Sequence, residues 1–189
     1  GLKTMIFPSI YILRLRQGEW RGSIQPPSWN AWFDSYRAHL LDLARLSERF
    51  GAEYLCIGIE LVSTEAQTEQ WRETIAAVRE VYSGKLLYSA NWDARNRNPW
   101  YRDLDLVAMN AYFTLAETDG TPEDREFDEP SLDELVASWE EIREEIAPWR
   151  EWIGRPLIVS EIGYLSLDGT ITAPWNYFKQ AGVDLEEQR

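Results

Sequence analysis

Five apolar runs, each short enough for a strand and separated by helical stripes or loops, constrain this chain more than any other feature. They read "TMIFPSIYI", "YLCIGIEL", "KLLYSANW", "LDLVAMNAY" and "RPLIVSEIGY". After the first, Ser28 in "PPSWN" is placed to cap a helix. Its apolar stripe starts at Trp29 and runs through Phe33, Tyr36, Leu40 and Leu43 to Phe50, with Gly51 as the stop. A second helix runs through Trp71, Ile75, Val78 and Tyr82 to a terminator at Gly84, and one helical turn is expected around Pro99 and Trp100. Ser131 and Glu134 form a capping box for a third helix, with Leu135, Trp139, Ile142 and Ile146 inward. Between them "AETDGTPEDREFDEP" is acidic and poor in apolar residues, a solvated excursion, and a last helix is expected to begin at Val183.

Strands alternating with helices argue for a parallel sheet covered by helices, in a single domain over residues 1–189. An open doubly wound sheet would carry a phosphate-binding glycine loop after an early strand, and neither GxGxxG nor GxxxxGK[ST] occurs. A closed eight-stranded barrel needs about 250 residues. At 189 residues the chain is therefore either an open sheet or an incomplete barrel.

Charge narrows the partners. With 19 basic against 32 acidic residues, a formal charge of -13 repels phosphate backbones and anionic membranes, so neither nucleic acid nor membrane is an expected partner. One cysteine and one histidine leave no intrachain disulfide, no histidine-based triad and no histidine-rich zinc site. Cys56 reads as a structural thiol, and His39 falls on the polar part of its helix. No apolar run reaches the roughly 18 residues of a membrane span, and no signal peptide precedes the first strand. The sequence begins at Gly1 without Met, so an upstream segment is expected and the compartment stays open.

In both architectures chemistry gathers at the carboxyl ends of the strands. Here the second strand ends in Glu60, the third in Asn91, Trp92 and Asp93, the fourth in Asn110, Tyr112 and Phe113, and the fifth in Glu161 and Tyr164. Glu161 follows Leu157, Ile158 and Val159 directly, and an unpaired carboxylate after such a buried run costs several kcal/mol. It must be neutralised, paired or held at the strand's end for use. Two glutamates, an amide, a phenol and indoles suit a neutral, hydroxyl-rich ligand, because carboxylates and amides hold hydroxyls and aromatic faces pack on sugar C–H surfaces. Paired carboxylates support glycoside hydrolysis, whereas Asp93 and Asp105 read as structural.

These runs, with "WRG" and "WFDSY" upstream and "NAYF" and "LIVSEIGYLSLDG...APW" downstream, resemble glycoside hydrolase family 113, a β-mannanase-like family with (β/α)₈ barrels. The resemblance implies a TIM (β/α)₈ barrel of which this chain covers about strands three to seven. It implies Glu60 in "GIEL" as acid/base and Glu161 in "SEIGY" as nucleophile of a retaining hydrolase acting on β-1,4-mannan or mannooligosaccharides. Tyr112 would hydrogen-bond the nucleophile, Asn91 and Trp92 would line the sugar site, and Trp175 would add a wall. No metal or cofactor is implied. A retaining pair sits about 5 to 5.5 Å apart, which strands four and seven reach only around a closed barrel. The sequence departs from the family pattern at Ile59, where a polar residue is usual, at Phe7, Pro8 and Ser9, and at Asn110, where an aspartate is expected. Those departures keep a non-catalytic carbohydrate-binding barrel open as an alternative, and a related β-glycanase of different sugar specificity stays open because no residue here distinguishes the axial 2-hydroxyl of mannose from the equatorial one of glucose.

Overall fold

The computed structural model describes residues 1–14, 16–116 and 130–186. Five strands form one sheet in the order β1-β2-β3-β4-β5: β1 Met5–Ile6, β2 Tyr54–Ile59, β3 Lys85–Asn91, β4 Leu106–Asn110 and β5 Leu157–Glu161. The helices are α1 Trp29–Phe50, α2 Thr68–Arg79 and α3 Leu132–Ile153, with a 3-10 turn at Pro99–Asp103. β1, β2, β3 and β4 pair parallel in sequence order. Val107 N donates to Pro156 O and Ala111 N to Glu161 O, two bonds that advance together along β4 and β5 and so make that pair parallel too. The chain divides into two compact units, Gly1–Asn110 with Arg150–Ser160, and Ala111–Trp149 with Glu161–Arg189.

In the first unit α1 forms as its sequence dictates. Ser28 Oγ accepts from Ala31 N, and Gly51 closes the helix at φ 67°, a conformation glycine adopts without penalty. Its buried residues are Phe33, Leu40, Ala44 and Ser47; Phe50, expected to extend the stripe, is exposed. The rings of Phe33 and Trp71 meet edge to face at 5.3 Å, Trp71 stacks on Trp100 at 4.8 Å, and Tyr88 of β3 meets both indoles. Gly58 of β2 lies against this cluster, where a Cβ would come within 2.8 Å of the Tyr88 ring. A separate apolar cluster unites Cys56, Ile59, Leu87, Leu106 and Ala108 with Met5, Phe7, Tyr54 and Ile158.

Several sequence expectations are corrected. The first strand shrinks to Met5–Ile6, since Pro8 has no N–H to continue a ladder. α2 ends at Arg79 rather than at Gly84; Tyr82 lies beyond it, buried, donating its hydroxyl to Ala52 O. Among the described residues β5 lies at one edge of the sheet, and Val159 is 54% exposed. In the second unit no helix begins at Val183 within the described residues, because Val183 bridges Leu167 antiparallel and Asp184 N donates to Ser166 O.

Other expectations hold. The capping box at Ser131 forms, with Ser131 N on Glu134 Oε2 at 2.7 Å, and Leu135, Trp139, Ile142 and Ile146 lie on the inner side of α3. His39 is exposed, and Asp105 is structural, taking the Leu86 amide at 2.7 Å and pairing with Arg79. Most of the acidic stretch after Leu115, residues 117–129, lies outside the described residues. No described helix is long and apolar enough to cross a membrane.

Candidate active site

Glu60 is the first residue past β2, and the way β2 ends sets its direction. Against β3 the register passes from Cys56↔Leu87 to Ile59↔Ser89, so β2 spends three residues where β3 spends two. Such a bulge bends a strand and re-aims the side chain that follows. Glu60 then takes φ 52°, alone among the described non-glycine residues in having positive φ. A non-glycine residue there costs on the order of 1–3 kcal/mol and persists only when its surroundings over-determine it. Glu60 N donates to Ser89 O at 2.8 Å, and the next amide, Leu61 N, donates to the Tyr88 hydroxyl at 2.9 Å.

The carboxyl group is gripped at both oxygens. Arg21 Nη2 lies 2.5 Å from Oε2, and Asn110 Nδ2 donates to Oε1 at 2.9 Å. The Glu60 side chain is 8% exposed and that of Arg21 27%, so water weakens this ion pair less than it would a surface pair. Asn110 is oriented in turn by Ser89 Oγ at 2.7 Å and Ser160 Oγ at 3.0 Å, both on its Oδ1. Two hydroxyls on the amide oxygen leave its nitrogen for Glu60, a donor role an aspartate could not fill.

Glu161, in the second unit, ends β5. Tyr112 donates its hydroxyl to Glu161 Oε2 at 3.2 Å, and the Tyr112 ring meets Tyr177 edge to face at 5.9 Å. Burial, then the Tyr177 hydroxyl and the Glu161 charge, push the Tyr112 phenol well above its ordinary value, so it stays a donor. Tyr164 donates to Phe113 O at 3.2 Å and is pushed by burial up to about 12.

The remaining expected site residues are placed less pointedly. Asn91 Nδ2 donates to Asp93 Oδ1 at 2.6 Å while Asn91 Oδ1 accepts from Trp92 N, so the amide is engaged in its own turn. Trp92 is half-buried and Trp175 is 51% exposed. Glu60 and Glu161 belong to different units, each with its own neighbours. Sequence reasoning gave no role to Arg21, Tyr88, Glu65 or Tyr177. Arg21 lies in the quoted "WRG" but carries no spacing that ties it to Glu60, whereas Asn96 and Asn98 in "NRNP" do hint at a partner for a buried acid. Among the described residues no cluster of three or more His, Cys, Asp or Glu is placed to hold a metal ion.

Glycoside Hydrolase Family 113 matches over residues 1–189. A GH113 beta-mannanase from Alicyclobacillus acidocaldarius, solved in complex with ManMIm, is 29% identical with a TM-score of 0.75, covering 92% of this chain and 51% of that one. Two further structures share the fold at 22% identity. One, a GH113 beta-1,4-mannanase, has a TM-score of 0.78 over 99% of this chain and 55% of that one. The other, a complex of a GH113 beta-1,4-mannanase, has a TM-score of 0.73 over 93% and 52%. The chain thus spans about half the length of each, and its five parallel strands with their helices are part of a (β/α)₈ barrel. No curated protein matches.

Proposed function

The chain belongs to glycoside hydrolase family 113, and from that premise we propose that it forms the acid/base and nucleophile segment of a retaining hydrolase of β-1,4-mannan or mannooligosaccharides. In the first step the Glu161 carboxylate attacks the anomeric carbon and the glycosidic C–O bond breaks. Glu60 enters this step in its acid form and gives its proton to the leaving oxygen, its contact with Arg21 there being a hydrogen bond from the guanidinium to a neutral carboxyl rather than an ion pair. In the second, water attacks the same carbon, its proton passes to Glu60, and the ester bond to Glu161 breaks. Tyr112 orients Glu161 and offsets its charge. Trp92, Trp175 and Asn91 are the sugar-contacting residues of this reading, the indoles packing on C–H faces.

The observation that carries the reading is the strained backbone at Glu60, fixed from both sides and aimed by a bulge, which a merely solvated strand-end glutamate would not need. The test is hydrolysis of mannan by the full-length protein and its Glu60→Gln and Glu161→Gln variants. Each substitution is expected to lower turnover by about 10²-fold or more. Full activity in either variant overturns the assignment.

A second reading, sugar binding without turnover, draws on Ile59. Its side chain is 2% exposed within the apolar cluster around Cys56 and offers no polar contact to a sugar. Binding of mannooligosaccharide by the full-length protein with no hydrolysis would select it.

A further inference from the structure

Glu65 is 1% exposed, and among the described residues no cation forms a salt bridge with it. It lies outside the proposed chemistry, yet it is the most heavily hydrogen-bonded carboxylate near Glu60. Its Oε1 accepts the Tyr88 hydroxyl at 2.9 Å, and its Oε2 accepts Asn96 Nδ2 at 2.9 Å and Asn98 Nδ2 at 2.8 Å. Its own carbonyl accepts Trp100 Nε1 at 2.9 Å. Every partner of the carboxyl group is a donor, so an acceptor-only group fits the position and an amide would bring its NH₂ against other donors.

The consequence lies one bond further on. Because Tyr88 spends its proton on Glu65, the oxygen of that hydroxyl is left to accept from Leu61 N. The Leu61 carbonyl is held in turn by Thr64 Oγ1 at 2.7 Å and Thr64 N at 2.8 Å. Leu61 is therefore pinned at both of its peptide groups, immediately after the residue whose φ is 52°. We propose that Glu65 is a positioning residue for Glu60, acting through the Tyr88 hydroxyl and the Leu61 amide to hold the acid/base in its left-handed backbone. Reversing the polarity of Tyr88 would remove the acceptor for Leu61 N, free the Leu61 peptide to rotate, and let Glu60 relax away from its aim.

This inference rests on the reading of Glu60 as acid/base, and the two are separable by leaving group. A general acid matters most when the departing oxygen is basic, as in mannan, and least when it leaves unaided, as from a dinitrophenyl mannoside. Azide needs no general base to attack the glycosyl-enzyme. In the full-length protein, Glu65→Gln and Tyr88→Phe are expected to lower turnover of mannan by about 10²-fold. Turnover of the dinitrophenyl substrate should fall far less and recover when azide is added, the same pattern as Glu60→Ala. Losses that are equal on both substrates and untouched by azide, or no loss at all, overturn the positioning role. If Glu60→Ala itself shows no dependence on leaving group, it is the acid/base reading that fails. Tyr88→Phe removes a single oxygen and keeps the ring against Trp71 and Trp100, so it keeps the proposal falsifiable where Glu65→Gln does not fold.

Discussion

Asn110, at the end of β4, donates its side-chain amide to Glu60 at the end of β2, reaching across the intervening β3. Ser89 of β3 and Ser160 of β5 both donate to the oxygen of that amide. Residues from three adjacent strands, β3, β4 and β5, are thus committed to the orientation of one carboxyl group. Asn110→Asp replaces the donor by an acceptor-only group facing Glu60 at 2.9 Å. Losing this hydrogen bond leaves a buried acceptor unpaired, which costs about 1–3 kcal/mol and frees the carboxyl group to turn. The expected outcome is a fall in kcat of at least about 10-fold on mannooligosaccharide with KM changed little, measured by steady-state kinetics. An unchanged kcat would detach Asn110 from the chemistry.

Tyr112→Phe removes the hydroxyl on Glu161 and leaves the ring against Tyr177 in place. One hydrogen bond to a carboxylate corresponds to about 1.5–3 kcal/mol, so kcat/KM is expected to fall by roughly 10- to 100-fold with the thermal midpoint nearly unmoved. Since burial holds the phenol protonated well past its ordinary value, the effect should persist undiminished into alkaline buffer. A deficit that vanishes as pH rises would contradict this.

The parts of this molecule legible in the sequence are those that local rules decide. Ser28 and Gly51 mark the ends of α1 because capping depends on the residue itself, and the Ser131 and Glu134 pair marks α3 for the same reason. Glu60 and Glu161 stand out because each follows an apolar run. What pattern could not reveal depends on pairing between distant segments. The bulge in β2 exists only relative to β3, and the approach of Arg21 to Glu60 crosses 39 positions of chain. Phe50 is exposed where the stripe of α1 leads one to expect burial, because hydrophobicity says that a residue prefers burial, not that a neighbour covers it. Tyr82 continued the period of α2 past its end, where burial beside Ala52 keeps it apolar without a helix.

Gly58→Ala tests the packing beneath Glu60. The new Cβ would lie 2.8 Å from the Tyr88 ring and 3.0 Å from Trp71, both fully buried, so the rings must shift. Overpacking of this kind costs about 1–3 kcal/mol. Urea unfolding should show that loss, and because Tyr88 is the ring displaced, activity should fall beyond what the lost stability explains. A variant as stable as the parent would mean that the two rings yield freely.

Two buried or partly buried acids pull stability in opposite directions with pH. For Asp105, burial raises the carboxyl, but the Arg79 guanidinium and the Leu86 amide outweigh it and leave it below its ordinary value. Its contribution is present above the unfolded aspartate value of about 4 and is lost as pH falls through the lower folded value. For Glu65, burial dominates, and hydrogen bonds from Asn96, Tyr88 and Asn98 offset it only in part, so the folded value is raised. The folded state then holds the proton longer than the unfolded chain. Stability accordingly declines as pH climbs from the unfolded glutamate value of about 4.3 towards the folded one, and stays at that lower level above it. Urea titrations at a series of pH values separate the two. Asp105→Asn should flatten the acid side of the profile, and Glu65→Gln should remove the decline above about 4.3. A decline that survives in Glu65→Gln would assign it to another group and leave Glu65 as an ordinary carboxylate. Its removal would place the energetic cost of burying an acid at the residue that polarises Tyr88.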